Sequence, residues 1–234
     1  MEDLAARLAL ACNILGHEGQ SDMILGHLSA RPPGGDRVLM KPAGLGLEEV
    51  TAGDMIVIDL DGKKLDGERK RHSEYPIHTE IYRKRPDVAC VVHTHPPFAT
   101  ALGATGATIR PVSHEGVLFA GCPVFTETTL LIREPGQGRA LARCLGEHKA
   151  VLMQNHGVVV VGASIEEATV NAILLEKAAR IQLLAAGSGN MVWTADEELA
   201  IKAEQIFRAD NMLGFFAYYE RRLGRTRGPA TDPL

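Results

Sequence analysis

Nowhere in its 234 residues does the chain hold an apolar run of the roughly 18 residues that a membrane-spanning helix needs. It also lacks a long basic block. Net charge is −4, and the densest patch, "ERKRH" at 68–72, reads as a solvated turn, so a nucleic-acid partner is not expected. Cysteines are few: Cys12, Cys90, Cys122 and Cys144 are widely spaced with no C-x-x-C, which argues against a disulfide framework and for free thiols in a reducing compartment. No G-x-G-x-x-G occurs. The pieces "GLG" and "GSGN" sit between no strand and helix, which disfavours a doubly wound nucleotide-binding fold. The opening "MEDLAARLALACNILG" has no basic leader region, and Glu2 and Asp3 suit the first turn of a helix. These absences point to the cytoplasm.

What remains is the composition of a globular protein, 45% hydrophobic and 23% charged, with length for a single domain. Leu4, Leu8, Cys12 and Leu15 carry the helical repeat of an amphipathic first helix over 2–17. Pro-Pro-Gly-Gly then splits "DMILGHLSARPPGGDRVLMKPAG" into a hairpin, and Asp-Gly splits "DMIVIDLDGKKLDG" into another. A helix over "YPIHTEIYRKRP" stops at Pro86, a valine-rich strand "VACVVHTHP" follows, and a helix over 136–145 precedes the strand pair "AVLMQNHGVVVVG". Ser164 caps a long helix, with Glu167 completing a capping box, and 195–223 is helical again. The expected fold is a single α/β domain over 1–223, a mostly antiparallel central sheet covered by helices, with a loose tail at 224–234.

Chemistry concentrates in the histidines. His93 and His95 lie at i and i+2 at the end of a strand, so both face the same side and converge on one ion. His156 sits where two apolar runs break, next to a glycine that permits an unusual backbone turn. Glu74 falls at a helix N-terminus, where a carboxylate is favoured and where a simple cap would also explain it. His17, His78 and His148 read as structural.

The set Glu74, "HTHP" at 93–96 and "NHG" at 155–157 resembles the class II aldolase/adducin family, as do "GHLSAR" at 26–31, "KPAG" at 41–44 and "GDMIVIDLDG" at 53–62. The resemblance spans nearly the whole chain. It implies that His93, His95 and His156 ligate a divalent metal, that Glu74 is the acid/base, and that the protein forms a homotetramer. Manganese is the first choice for an oxygen-chelating substrate, with zinc or iron(II) open. The stretch "FFAYYERR" either reaches a neighbour's site or serves as a helix packing face.

Sugar-phosphate members of that family hold phosphate with small polar groups. Here His27 stands for the Asn of "GNLS", Ala43 for a Ser of "SPSG", and His72-Ser73 for a Ser-Ser pair before Glu74. These exchanges suit planar carboxylates, which imidazoles meet with N–H donors. The family also includes decarboxylases of ortho-hydroxy aromatic dicarboxylates, and the resemblance in these histidine exchanges implies that reaction here. The expected substrate is 3-hydroxy-2-methylpyridine-4,5-dicarboxylate of vitamin B6 breakdown, with dihydroxyphthalate second and sugar-phosphate aldolase or epimerase chemistry as the alternative. A non-enzymatic scaffold of the adducin kind ranks last, because all three ligands are present. His27, Ser29, Gly44, His72, Ser73 and His114 are the expected substrate contacts.

Overall fold

The computed structural model describes residues 2–32 and 34–226. The two sequence hairpins form as expected, β1 (His27–Ala30) against β2 (Arg37–Met40) and β3 (Ile56–Asp59) against β4 (Lys64–Asp66). With β5 (Cys90–Thr94), β6 (Val124–Phe125), β7 (Ala150–Met153) and β8 (Gly157–Gly162) they build one eight-stranded sheet, ordered β4-β3-β2-β1-β5-β8-β7-β6. Every pairing is antiparallel except β6 with β7.

Helices cover both faces. On one side α1 (Glu2–Leu15), α3 (Pro97–Ala104), α4 (His114–Leu118), α6 (Ile165–Ala186) and α8 (Ala209–Thr226) share a core with Leu28, Val92 and Val160. On the other side α2 (Tyr75–Lys84) and α5 (Pro135–Leu145) share a core with Val38, Val91 and Val159. Alternation along each strand assigns the faces, so His27, Ser29, Val91 and His93 share the α2 side. Ile77 and Ile81 of α2, both fully buried, contribute about 1.5–3 kcal/mol each in apolar burial. Gly138 lets α5 approach α2, since a Cβ there would lie 2.6 Å from the Pro76 carbonyl oxygen. That contact fixes the start of α2, where Glu74 sits.

Ser164 caps α6 as expected, its Oγ accepting the Glu167 N–H at 3.1 Å. Three short elements, α3, α4 and β6, have no strong periodicity and were not expected. The C-terminal helical stretch divides into α7 (Asp196–Ile206) and α8, with Asn211 Nδ2 donating to the Ile206 carbonyl that the break frees. Because α8 runs to Thr226, the expected tail from 224 begins inside a helix, and 227–234 lie outside the described residues. Within "FFAYYERR" Phe216 is fully buried beneath the Arg7 guanidinium, while Tyr218, Glu220, Arg221 and Arg222 are exposed. All four cysteines are free thiols. Among the described residues no helix is long and apolar enough to cross a membrane.

Candidate metal centre and active site

Strand β5 ends by presenting His93, and Pro96 in extended geometry (φ −66°, ψ 136°) directs His95 back beside it. The turn between β7 and β8 adds His156, whose N–H bonds the Met153 carbonyl, with Asn155 at φ 55°. Gly157 makes the approach possible, because a Cβ there would lie 2.5 Å from His95 Cδ2 and from the Thr94 oxygen. The three imidazoles offer one nitrogen each within 4.8 Å of one another.

Their tautomers follow from what holds them. His93 Nδ1–H donates to the Val158 carbonyl at 2.9 Å, and His95 Nδ1–H donates to Asp22 Oδ2 at 2.9 Å. Each ring therefore turns an Nε2 lone pair inward, and these two nitrogens stand only 3.2 Å apart. Two facing lone pairs repel unless a cation lies against both. His156 has no hydrogen-bond partner at either ring nitrogen although both are buried. Burial, then neighbouring His95 and His156, holds the His93 pKa well below its usual value, and burial with His95 lowers His156 to about 4. Three imidazoles, two of them held from behind by bonded outer partners, fit a divalent cation and leave coordination positions open.

Glu74 precedes α2 but makes no side-chain cap bond. Its carboxyl turns inward instead. Oε1 lies 3.6 Å from His156 Nε2, and Oε2 lies 3.9 Å from both His93 Nε2 and His27 Nε2. The Ile132 N–H donates to Oε1 at 2.8 Å and fixes the group. Burial raises the Glu74 pKa, against the opposing pull of the Ile132 N–H, His95 and Arg133. The acid/base position of the sequence reading thus coincides with a carboxyl beside the triad.

The expected substrate contacts divide. His27 and His72 pack with ring centroids 4.1 Å apart and planes tilted by 44°, and the His27 centroid lies 4.9 Å from that of His93. Both keep a buried Nε2 with no partner. His72 also bonds the backbone at Ile24, and burial lowers its pKa to about 4. Ser29 stands behind His27, its Oγ taken up by His78 and Tyr82. Ser73 is exposed. Gly44, at φ 87° with open space where a Cβ would be, is exposed in a turn that the Ala43 N–H to Lys70 carbonyl bond holds near His72. His114 is not brought to this cluster: it starts α4, exposed, and lines a separate cleft of about 500 Å³ with Glu198, Ile201 and Lys202 of α7.

The sequence reading missed Asp22, Ile132 and His78. Asp22 and Ile132 act across 73 and 58 residues of chain, and no local pattern marks them. His78 had a signal: it follows Glu74 by one helical turn and so shares its face.

Residues 6–183 match the family model described as Class II Aldolase and Adducin N-terminal domain. The chain belongs to the class II aldolase and adducin family. It is 34% identical over 196 residues to a 3,4-dihydroxyphthalate decarboxylase of Arthrobacter keyseri, covering 78% of each chain. It is 30% identical over 208 residues to Decarboxylase NovR of Streptomyces niveus, covering 86% of this chain and 76% of that one. Among solved structures, an L-fuculose 1-phosphate aldolase from Glaciozyma antarctica PI12 superimposes with a TM-score of 0.86 at 25% identity, covering 97% of this chain and 90% of that one. Class II aldolases are divalent-metal enzymes, and the imidazole triad of this member supplies the matching donor set.

Proposed function

We propose that this family member is a divalent-metal-dependent decarboxylase of an ortho-hydroxy aromatic dicarboxylate. The observation that carries the reading is the His27–His72 pair, two buried imidazoles with unpartnered Nε2 atoms beside Glu74 and the triad. The relatives named as decarboxylases support it. His93, His95 and His156 would hold the cation, which when bound supplies Lewis-acid stabilisation of the negative charge that builds on substrate oxygen.

The chain's own groups do the rest. His27 and His72 hold the carboxylate that stays and orient the ring over Glu74. Burial keeps the Glu74 carboxyl in reach of its neutral form, so that it delivers a proton to the ring carbon bearing the leaving carboxylate. The bond to that carboxylate then breaks, its electron pair restores aromaticity, and carbon dioxide departs. Glu74, left ionised, regains a proton from water.

Manganese remains the first choice of metal and a homotetramer the expected assembly. The named relatives bring 3,4-dihydroxyphthalate forward as the first compound to assay, ahead of 3-hydroxy-2-methylpyridine-4,5-dicarboxylate. Chelator-sensitive carbon dioxide release from either, by manganese-reconstituted protein, is the expected result. No release from either, with cleavage of fuculose or ribulose phosphate instead, would replace this reading with the aldolase one.

A further inference from the structure

Behind His27 runs an unbroken chain of buried polar groups. His27 Nδ1 lies 2.6 Å from His78 Nε2, and His78 Nδ1 lies 2.6 Å from Ser29 Oγ. Ser29 Oγ lies 2.9 Å from the Tyr82 hydroxyl, which is also 2.9 Å from the Ser29 carbonyl oxygen. All four side chains are at most 1% exposed. Each histidine link holds one proton, so the donor directions at Ser29, His78 and His27 are coupled.

Two arrangements satisfy the links from Ser29 through His78 to His27. In one, Tyr82 donates to the Ser29 carbonyl, Ser29 to Tyr82, His78 to Ser29 and His27 to His78, which leaves a lone pair on His27 Nε2. In the other, Tyr82 keeps its donation to the Ser29 carbonyl while Ser29 donates to His78 and His78 Nε2–H donates to His27 Nδ1, which leaves His27 Nε2–H as a donor. That nitrogen has no protein partner and faces Glu74 Oε2 at 3.9 Å. A lone pair there would oppose a carboxylate entering beside it, whereas an N–H would bind it.

We infer that His78 is a positioning residue that holds His27 in the Nε2–H tautomer, so that His27 selects substrates carrying a second carboxylate. This rests on the substrate class given above. Ser29 accordingly acts through His78 and does not touch the substrate. Because β1 and α2 both contribute, this chain of groups is built into the sheet–helix contact.

The test compares phthalate with benzoate, neither of which carries the hydroxyl the reaction needs, by calorimetric titration into manganese-loaded protein. Wild type is expected to bind phthalate the more tightly. His78→Phe should weaken phthalate about tenfold or more and benzoate less than twofold, since one charge-assisted hydrogen bond is lost. His78→Gln, which keeps a donor toward His27 Nδ1, should restore most of the loss. Tyr82→Phe should leave phthalate affinity unchanged, because Ser29 keeps its own hydrogen for His78. Long-range proton–nitrogen NMR of the zinc-loaded protein, which is diamagnetic, should show His27 protonated at Nε2 in the phthalate complex. Equal binding of the two acids by wild type, parallel losses for both in His78→Phe, no rescue by Gln, a loss in Tyr82→Phe or a bare Nε2 would each overturn the inference. If His78→Phe does not fold, the other variants and the wild-type spectrum still decide. Carbon dioxide release is no part of this readout, so the decarboxylase reading and this one fail separately.

Discussion

Replacing Asp22 with Ala tests whether the triad is held from behind. Asp22 Oδ2 accepts His95 Nδ1–H at 2.9 Å, which fixes the ring's tautomer and makes its inward nitrogen a better ligand. Removing such an outer partner costs about 10–100-fold in metal affinity. The Asp22 side chain is 36% exposed, so solvent screens part of its charge and lets water take its place. The middle of the range is therefore expected, about 30-fold or roughly 2 kcal/mol. Asp22→Asn keeps an acceptor oxygen but loses the charge, and should fall only a few-fold, on the order of half that free energy. The Leu25 N–H to Asp22 carbonyl bond is made by backbone and survives both changes, so the loop keeps its shape. Titration of metal-free protein with manganese or zinc against a coloured chelator reads the affinity directly. An Asp22→Ala affinity within twofold of wild type would show that His95 needs no second partner, and the reasoning would be wrong.

Glu74→Gln should retain metal at full stoichiometry while turnover falls by roughly 10²–10⁴, the usual worth of a positioned acid; substantial remaining turnover would remove Glu74 from that role. Burial lowers the His78 pKa to about 3, against 6.5 for the free group. Its sign is that of a buried neutral base: as pH falls below 6.5 the unfolded chain binds a proton that the folded one refuses down to about 3. His78 alone should then cost about 2 kcal/mol at pH 5, and a flat melting temperature of metal-free protein between pH 7 and 5 would contradict this. Gly157→Ala would place a methyl 2.5 Å from His95 Cδ2 and should lower stability by about 1–3 kcal/mol together with metal affinity, both read by melting with and without metal. Unchanged melting in both states would mean that the close approach is not structural.

Much of this site is legible in the sequence, for reasons that can be named. The i, i+2 pair His93 and His95 and the strand break at Asn155–His156 are local patterns, and β-strand parity converts them into one face. The hairpins and the Ser164 cap are likewise set by neighbouring residues. The rest depends on contacts between distant segments. Asp22 meets His95 only because α1 leads into β1 at the sheet's centre, and Ile132 meets Glu74 only because the loop before α5 crosses the start of α2. Ser29 was expected at the substrate because it belongs to the "GHLSAR" stretch with His27; its depth behind His27 emerges only once α2 packs on the sheet. His114 shares a histidine's chemistry but not the cluster's location, which no spacing rule encodes.

The pairing of His27 with His93, and of His93 with Val159, across β1, β5 and β8 makes the metal centre dependent on alignment of the whole sheet. A slip of β5 by a single residue would turn His93 toward the aliphatic side chains beneath α6 and bring Val92 or Thr94 to the mouth. A misaligned or half-assembled chain would therefore have no ion-binding centre at all. Metal uptake becomes a proofreading signal for this fold: only molecules whose middle three strands have found their native alignment gain the stabilisation that an ion confers.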